Sequence, residues 1–239
     1  MEKRELLYEG KAKRIYTTND ENVVWVEYKD SATAFNGEKK ANINGKGVLN
    51  NEITSLLFSK LEQAGIPSHF IEKLSEKEQL VKKVNIIPLE VVVRNLAAGS
   101  LSKRLGMVEG TKLNKPMVEF YYKDDNLGDP LLTNAHIEEL EIVTEEEQNQ
   151  LQEKALAINT VLTQFFEECG VRLVDFKLEF GKTIDGEILL ADEISPDTCR
   201  LWDMETNEKL DKDVFRRDLG SLTEAYEQIL TRLGGKLHV

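Results

Sequence analysis

Cysteine is nearly missing. Cys169 and Cys199 are the only two in 239 residues, too few for a disulfide framework or a cysteine metal cluster. Histidine is almost as scarce: His69, His136 and His238 are scattered, with no metal-ligand spacing and no nucleophile partner in view, and they read as structural. No Gly-x-Ser-x-Gly elbow and no Cys/His pairing occurs, so covalent hydrolase chemistry finds no support. No stretch approaches the roughly 18 uncharged apolar residues that span a bilayer. Met1-Glu2-Lys3-Arg4-Glu5 opens on charges, where a signal peptide carries an apolar core. Positive charge is in deficit: 31 Lys and Arg against 43 Asp and Glu leave a net charge of −12. Such a surface repels polyanions, which argues against nucleic acid and acidic membranes as partners. A cytoplasmic location is expected, and a small anionic substrate would need a local basic pocket.

What remains is a soluble globular composition, 41% apolar and 31% charged, long enough for one large domain or two small ones. There is no internal repeat and no low-complexity tract. Residues 5–17 and 22–28 read as strands around the turn Asn19-Asp20-Glu21-Asn22. Residues 30–47, polar and holding Gly37, Gly45 and Gly47, read as a long mobile loop. A helix is predicted from Val48 to Ala64, stopped by Gly65 and Pro67. Strand-like runs follow over Ser68–Leu74, Gln79–Val84, residues 86–95 and Met117–Lys123. Ser100 is a candidate N-cap for a short helix, and Asp124–Pro130 is an acidic turn. Thr144 with Glu147 forms a capping box for a long helix to Cys169. Residues from Ser195 to Asp211 look irregular, and a last helix starts at Ser221. The fold class expected is α+β: two lobes with antiparallel sheets and packed helices, 1–84 and 85–239, and a ligand cleft between them.

The densest chemistry lies in Leu173-Val174-Asp175-Phe176-Lys177-Leu178-Glu179-Phe180. Alternation puts the apolar residues on one face and Asp175, Lys177 and Glu179 on the other. If Asp185-Gly186 is a two-residue hairpin turn, Glu179 falls opposite Asp192 and Lys177 opposite Ile194. Two facing carboxylates destabilise a ladder unless a cation sits between them, so Glu179 and Asp192 form a candidate magnesium site. The plainer alternative is a solvated strand face whose acids are tied up by Lys177. Gly10-Lys11-Ala12-Lys13 could lay backbone N–H groups and lysines over phosphates, or be a basic surface turn; it lacks Walker spacing. Glu90 and Arg94 share a strand face, either as an internal salt bridge or with Arg94 making a forked contact to an anion beside Ser100. Arg200 either turns back toward the metal strand or packs on Trp202.

Two stretches carry a resemblance. Ile86-Ile87-Pro88-Leu89-Glu90-Val91-Val92-Val93-Arg94-Asn95-Leu96-Ala97-Ala98-Gly99-Ser100 and Leu173-Val174-Asp175-Phe176-Lys177-Leu178-Glu179-Phe180-Gly181 resemble the signatures of the phosphoribosylaminoimidazole-succinocarboxamide synthase (SAICAR synthetase) family. Tyr8-Glu9-Gly10-Lys11-Ala12-Lys13 and Asp192-Glu193-Ile194-Ser195-Pro196-Asp197 are similar to that family as well. The likeness runs over essentially the whole chain, whose length suits the single-function bacterial form. Ala191 stands where the family often has glycine. The resemblance implies an ATP-dependent ligase of purine biosynthesis. It would join aspartate to a carboxylated aminoimidazole ribonucleotide through an acyl phosphate.

It implies that Glu179 and Asp192 hold Mg2+ against the ATP phosphates and that Gly10, Lys11, Ala12 and Lys13 cover those phosphates. Adenine would rest near Lys82 to Val84. Arg94, Ser100 and Arg200 would take the ribonucleotide phosphate, and Lys177 would sit at the reacting carboxylate. Asp175 and Glu90 are candidates for the imidazole ribonucleotide or a second metal. A homodimer is implied too. A small-molecule kinase could use the same metal pair and phosphate loop, though no His-Arg-Asp type segment offers a base for an acceptor hydroxyl; a non-catalytic nucleotide-binding module is the third possibility.

Overall fold

The structure is a computed structural model that describes residues 1–236; His238 lies outside them. The first 82 residues carry strands β1 (Lys3–Glu9), β2 (Lys13–Thr18), β3 (Val23–Tyr28), β4 (Ser31–Ala34) and β5 (Lys39–Asn42), helix α1 (Lys46–Gln63), then β6 (Phe70–Lys73) and β7 (Glu78–Lys82). After the crossing come β8 (Asn85–Leu96), α2 (Gly99–Leu105), β9 (Lys112–Tyr122), β10 (Leu131–Leu132), α3 (Asn134–Glu139), α4 (Glu145–Glu168) and β11 (Val171–Lys182). The chain finishes with β12 (Ile188–Ala191), β13 (Cys199–Asp203), α5 (Asp213–Arg216) and α6 (Leu222–Arg232).

Two antiparallel sheets organise the fold. One runs β1-β2-β3-β7-β6; the other runs β10-β9-β8-β11-β12, with β13 also paired to β11. The first sheet has a small core of Val24, Val26, Tyr28 and Val81. The second is covered by α4, which lies across β11 and β8. Leu151, Ile158, Leu162 and Phe166 of α4 are buried on it with Phe176, Leu178 and Phe180 of β11. Ile53, Leu57 and Leu61 of α1 belong to this larger core as well. A bridge between Ser68 and Leu190, with His69 N donating to Leu190 O at 2.8 Å, ties the sheets together.

Several local expectations change. The single strand over 5–17 is two strands, because Gly10 and the charges around it form the turn of a hairpin that pairs Glu9 with Arg14. The supposed loop over 30–47 holds the β4–β5 hairpin. Its Ser-Ala-Thr-Ala strand buries only small residues, Ala32 and Ala34, and so carries a weak apolar signal. Ser100 is not an N-cap: Ala98 occupies that position, and no side chain caps the helix. The segment from Ser195 to Asp211 contains β13, which pairs Arg200 with Asp175. The capping box at Thr144 and Glu147 is present. A second one, Thr133 with His136, starts α3 and gives that histidine a structural role.

Candidate active site

The expected register of the metal hairpin is wrong by one residue. Glu179 pairs with Ala191, not Asp192, and Lys182 pairs with Ile188. The turn has three residues, Ile184-Asp185-Gly186, closed by Thr183 N donating to Glu187 O at 2.9 Å. Gly186 takes φ +85°, the left-handed position of a three-residue hairpin loop. Asp192 has φ +58°, a conformation that ends the strand and breaks its alternation. That break lets its carboxylate line the same cavity as Glu179. Nor does Lys177 face Ile194: its backbone N donates to Thr198 O at 2.8 Å and it pairs with Val92.

The acid that stands directly opposite Glu179 is Glu90, on β8. The cation between them is an ammonium: Lys177 Nζ lies 2.9 Å from Glu90 Oε1 and 2.8 Å from Glu179 Oε1. The strand face is not solvated, since Asp175 and Glu179 are buried. Burial by itself would lower the Lys177 amine, but Glu179, Glu90 and Asp192 outweigh it and hold it well above its ordinary value.

Because β8, β11 and the segment beyond β12 are in register, this face is ordered in rows two residues apart, about 6.6 Å along the strand. In the first, Arg94 and Arg200 flank Asp175 on the ladders. Arg94 Nη1 donates to Asp175 Oδ2 at 2.8 Å, and Arg200 Nη1 to the same oxygen at 2.9 Å. Glu90 is therefore not the salt-bridge partner of Arg94. Arg94 also donates to Glu119 at 2.6 Å, to Ser100 Oγ at 3.0 Å and to Tyr121 OH at 2.9 Å. Arg200 Nε donates to Asp213 Oδ2 at 3.1 Å, and Lys209, not Arg200, covers the Trp202 ring. The second row is Val92, Lys177 and Thr198. The third is Glu90, Glu179 and Ala191, the last residue of β12, with Asp192 just beyond it.

Two chambers meet at this face. One, of about 380 Å³, has apolar walls from Ile15, Val24, Val26 and Val81 and ends on Glu179 and Asp192; Lys82 and Val84 also line it. Its charged end holds two lysines. Lys13 Nζ lies 2.5 Å from Asp192 Oδ1 and 3.0 Å from Glu193 Oε1, and Lys123 Nζ lies 2.9 Å from Glu179 Oε1. Burial would raise the Asp192 carboxyl, yet Lys13 and then Lys177 overcome it and hold it well below the usual carboxylate range. Lys13 itself stays well above its ordinary value despite burial, through Asp192 and Glu193. His69 faces this chamber with Nε2 unpartnered; burial and the Lys13 charge bring its imidazole down to about 4.

The second chamber, of about 490 Å³, is lined by Glu90, Arg94, Ser100, Asp175, Lys177 and Arg200 among others. The Gly10–Lys13 turn stands between the two: Lys13 serves the first chamber, while Lys11 and Ala12 line the second. Lys11 pairs there with Asp125 in the acidic turn.

All the residues expected from sequence thus reach one or the other chamber, apart from Gly10, which shapes the turn. Lys123, Tyr121, Glu119 and Asp213 were not singled out, and Glu193 only as part of the run from Asp192 to Asp197. No spacing along the chain marks them; the pairing of distant segments brings them to the site.

An apolar niche and paired acids two rows from twin guanidinium groups, with a lysine midway, make an arrangement that suits an ATP-dependent ligase, the class to which the matched family belongs. The SAICAR synthetase family model matches residues 6–233. Phosphoribosylaminoimidazole-succinocarboxamide synthase of Bacillus mycoides is 71% identical over 239 residues, all of both chains. The crystal structure of that synthase from Ehrlichia chaffeensis superposes with a TM-score of 0.95 at 48% identity, covering 98% of this chain and 100% of the other. A SAICAR synthetase in complex with ADP gives 0.94, also at 48% identity and with the same coverage. The chain belongs to the SAICAR synthetase family.

Proposed function

We propose that the chain joins L-aspartate to the carboxylate of 5-amino-1-(5-phospho-D-ribosyl)imidazole-4-carboxylate, an ATP-dependent ligation of de novo purine biosynthesis that yields the succinocarboxamide, ADP and phosphate. The observation that carries the reading is the row order on β11, with Lys177 midway between the acid end and the arginine pair. Its apolar chamber suits adenine, and a relative of 48% identity has been solved with ADP.

In this reading the carboxylate oxygen of the ribonucleotide attacks the γ-phosphorus of ATP and ADP leaves. The aspartate amine then attacks the acyl phosphate, loses a proton and expels inorganic phosphate. Phosphoryl transfer of this kind rests on positioning and charge neutralisation. Lys177 orients the carboxylate and offsets charge as it moves. Lys13 and Lys123 bear on the polyphosphate, and Gly10 to Ala12 hold the turn that lets Lys13 reach it. Arg94, Ser100 and Arg200 take the ribose phosphate. Both oxygens of Asp175 are occupied by arginine N–H groups, so it acts by holding that pair, and Glu90 balances Lys177.

Glu179 and Asp192 fit magnesium. Each presents one oxygen to lysine, and neither Glu179 Oε2 nor Asp192 Oδ2 has a partner among the described residues. No group of three or more potential ligands occurs among the described residues, as suits an ion completed by phosphates and water. When bound, magnesium would offset the polyphosphate charge and polarise the transferred group.

We further read 1–84 as the lobe that closes over the nucleotide and 85–239 as the substrate lobe, in a cytoplasmic homodimer. Among the described residues no helix is long and apolar enough to cross a membrane. The test is ADP release, expected only with aspartate and the carboxylated ribonucleotide both present. ADP formed on an alcohol acceptor alone would make the chain a kinase, and full activity in a Glu179→Ala, Asp192→Ala double variant would remove the metal site.

A further inference from the structure

One wall of the second chamber holds a charged cluster that the reading above leaves unused. Lys46 begins α1 and is 0% exposed; its Nζ lies 2.5 Å from Asp197 Oδ2, and it has no hydrogen-bond partner beyond that ion pair. Lys212 Nζ stands 3.6 Å from the same oxygen, while Tyr226 OH donates to Oδ1 at 2.5 Å. Burial pushes the Tyr226 hydroxyl well up, with Asp197 adding, so it stays neutral. Two ammonium groups therefore share the Asp197 carboxylate, and Lys212 is the more loosely held of the two.

Glu193 adds an attraction on Lys212, though its carboxylate is shared with Lys13 and Ser195, and Asp213 is held by Arg200 and Arg216. Burial draws the Lys212 amine below its ordinary value; Asp197 counters this, and Lys46 and Arg216 add to the fall. A desolvated cation that shares its counter-ion with a second cation is costly, and the cost is offset when a further anion arrives. Lys46 is sealed beneath, whereas Lys212 lines the chamber.

Position selects the anion. The ribonucleotide phosphate is assigned to the arginine row. Asp197 and Thr198 flank the next row, because Lys177 N donates to Thr198 O. The Lys212 ammonium thus lines the same chamber as Lys177, at which the carboxylate is activated and where the incoming amine must arrive.

We propose that Lys212, backed by Lys46 and oriented by Asp197, binds a carboxylate of the aspartate co-substrate and so aims its amine at the activated carboxyl. This rests on the ligase reading. Initial rates of Lys212→Met, with each substrate varied in turn, test it. The KM for L-aspartate should rise at least tenfold, while those for ATP and the ribonucleotide stay within about threefold. Lys212→Arg, which keeps the charge, should recover most of the aspartate affinity. An unchanged aspartate KM in Lys212→Met, or a rise in the ribonucleotide KM instead, overturns the proposal. If Lys212→Met does not fold, as judged by circular dichroism, Lys212→Gln is read by the same criteria. A wild-type chain that forms no ADP in response to aspartate would overturn the ligase reading itself, a result distinct from active wild type with an indifferent Lys212 variant.

Discussion

Lys177 does two jobs through one ammonium. It neutralises Glu90 and Glu179, which the ladder sets opposite one another, and it occupies the point midway between the chambers. Lys177→Ala should lower kcat by about a hundredfold or more, the scale on which a preorganised charge contributes to catalysis. It should also cost about 1–3 kcal/mol, since two facing acids lose their cation. Steady-state rates and a thermal melt separate these effects. Activity within tenfold of wild type would exclude the catalytic role, and a collapsed circular dichroism spectrum would make the lysine structural. The type and spacing of Asp175, Lys177 and Glu179 were readable along the chain because strand alternation is local. Their partners were not: Glu90 and Arg200 come from two other strands, and Lys123 from the residue just after β9. The acid pairing inferred with Asp192 was drawn from a turn type that Asp185-Gly186 does not adopt.

At the scale of elements, the turn into α2 decides how the arginine row is built. Gly99 has φ +53°, and a Cβ placed there would stand 2.6 Å from Arg200 Cζ. The missing side chain makes room for the guanidinium. Gly99→Ala should therefore displace Arg200, raise the KM for the ribonucleotide about tenfold while kcat changes little, and cost about 1 kcal/mol from the left-handed backbone. An unchanged KM would mean that Arg200 does not need this space. Long, strongly periodic elements such as α4 and β8 could be located from pattern alone, as could the capping box of α4. Short ones could not. The β4–β5 hairpin has small side chains, and β13 exists because β11 offers it an edge, so neither leaves a periodic trace of its own.

At the scale of the whole molecule, the joint between the sheets imposes a pH dependence. His69 bridges them through its backbone, and burial holds its imidazole at about 4, against roughly 6.5 in an unfolded chain. Between those values the unfolded chain takes up a proton that the folded chain refuses. Stability is therefore complete above about 6.5 and falls as the pH drops toward 4, by on the order of 3 kcal/mol from this residue. Asp211 acts in the opposite sense: burial and the Asp213 charge push its carboxyl up to about 7, so its contribution is lost as the pH rises through that value. Urea unfolding of wild type and His69→Phe at pH 7.5 and 4.5 isolates the histidine; equal pH slopes in the two would refute the assignment.

The sequence by itself determined the α+β class, the net negative charge and which acids, lysines and arginines share a strand face; the ligase roles given to them came from the family resemblance. The first three follow from composition and from periods of 2 and 3.6, which are properties of adjacent residues. Only the tertiary structure decided that Glu179 faces Glu90, that one turn feeds lysines to two chambers, and that Lys212 shares its carboxylate with a buried neighbour. Register and the approach of distant strands set those contacts, and both depend on how the whole chain packs.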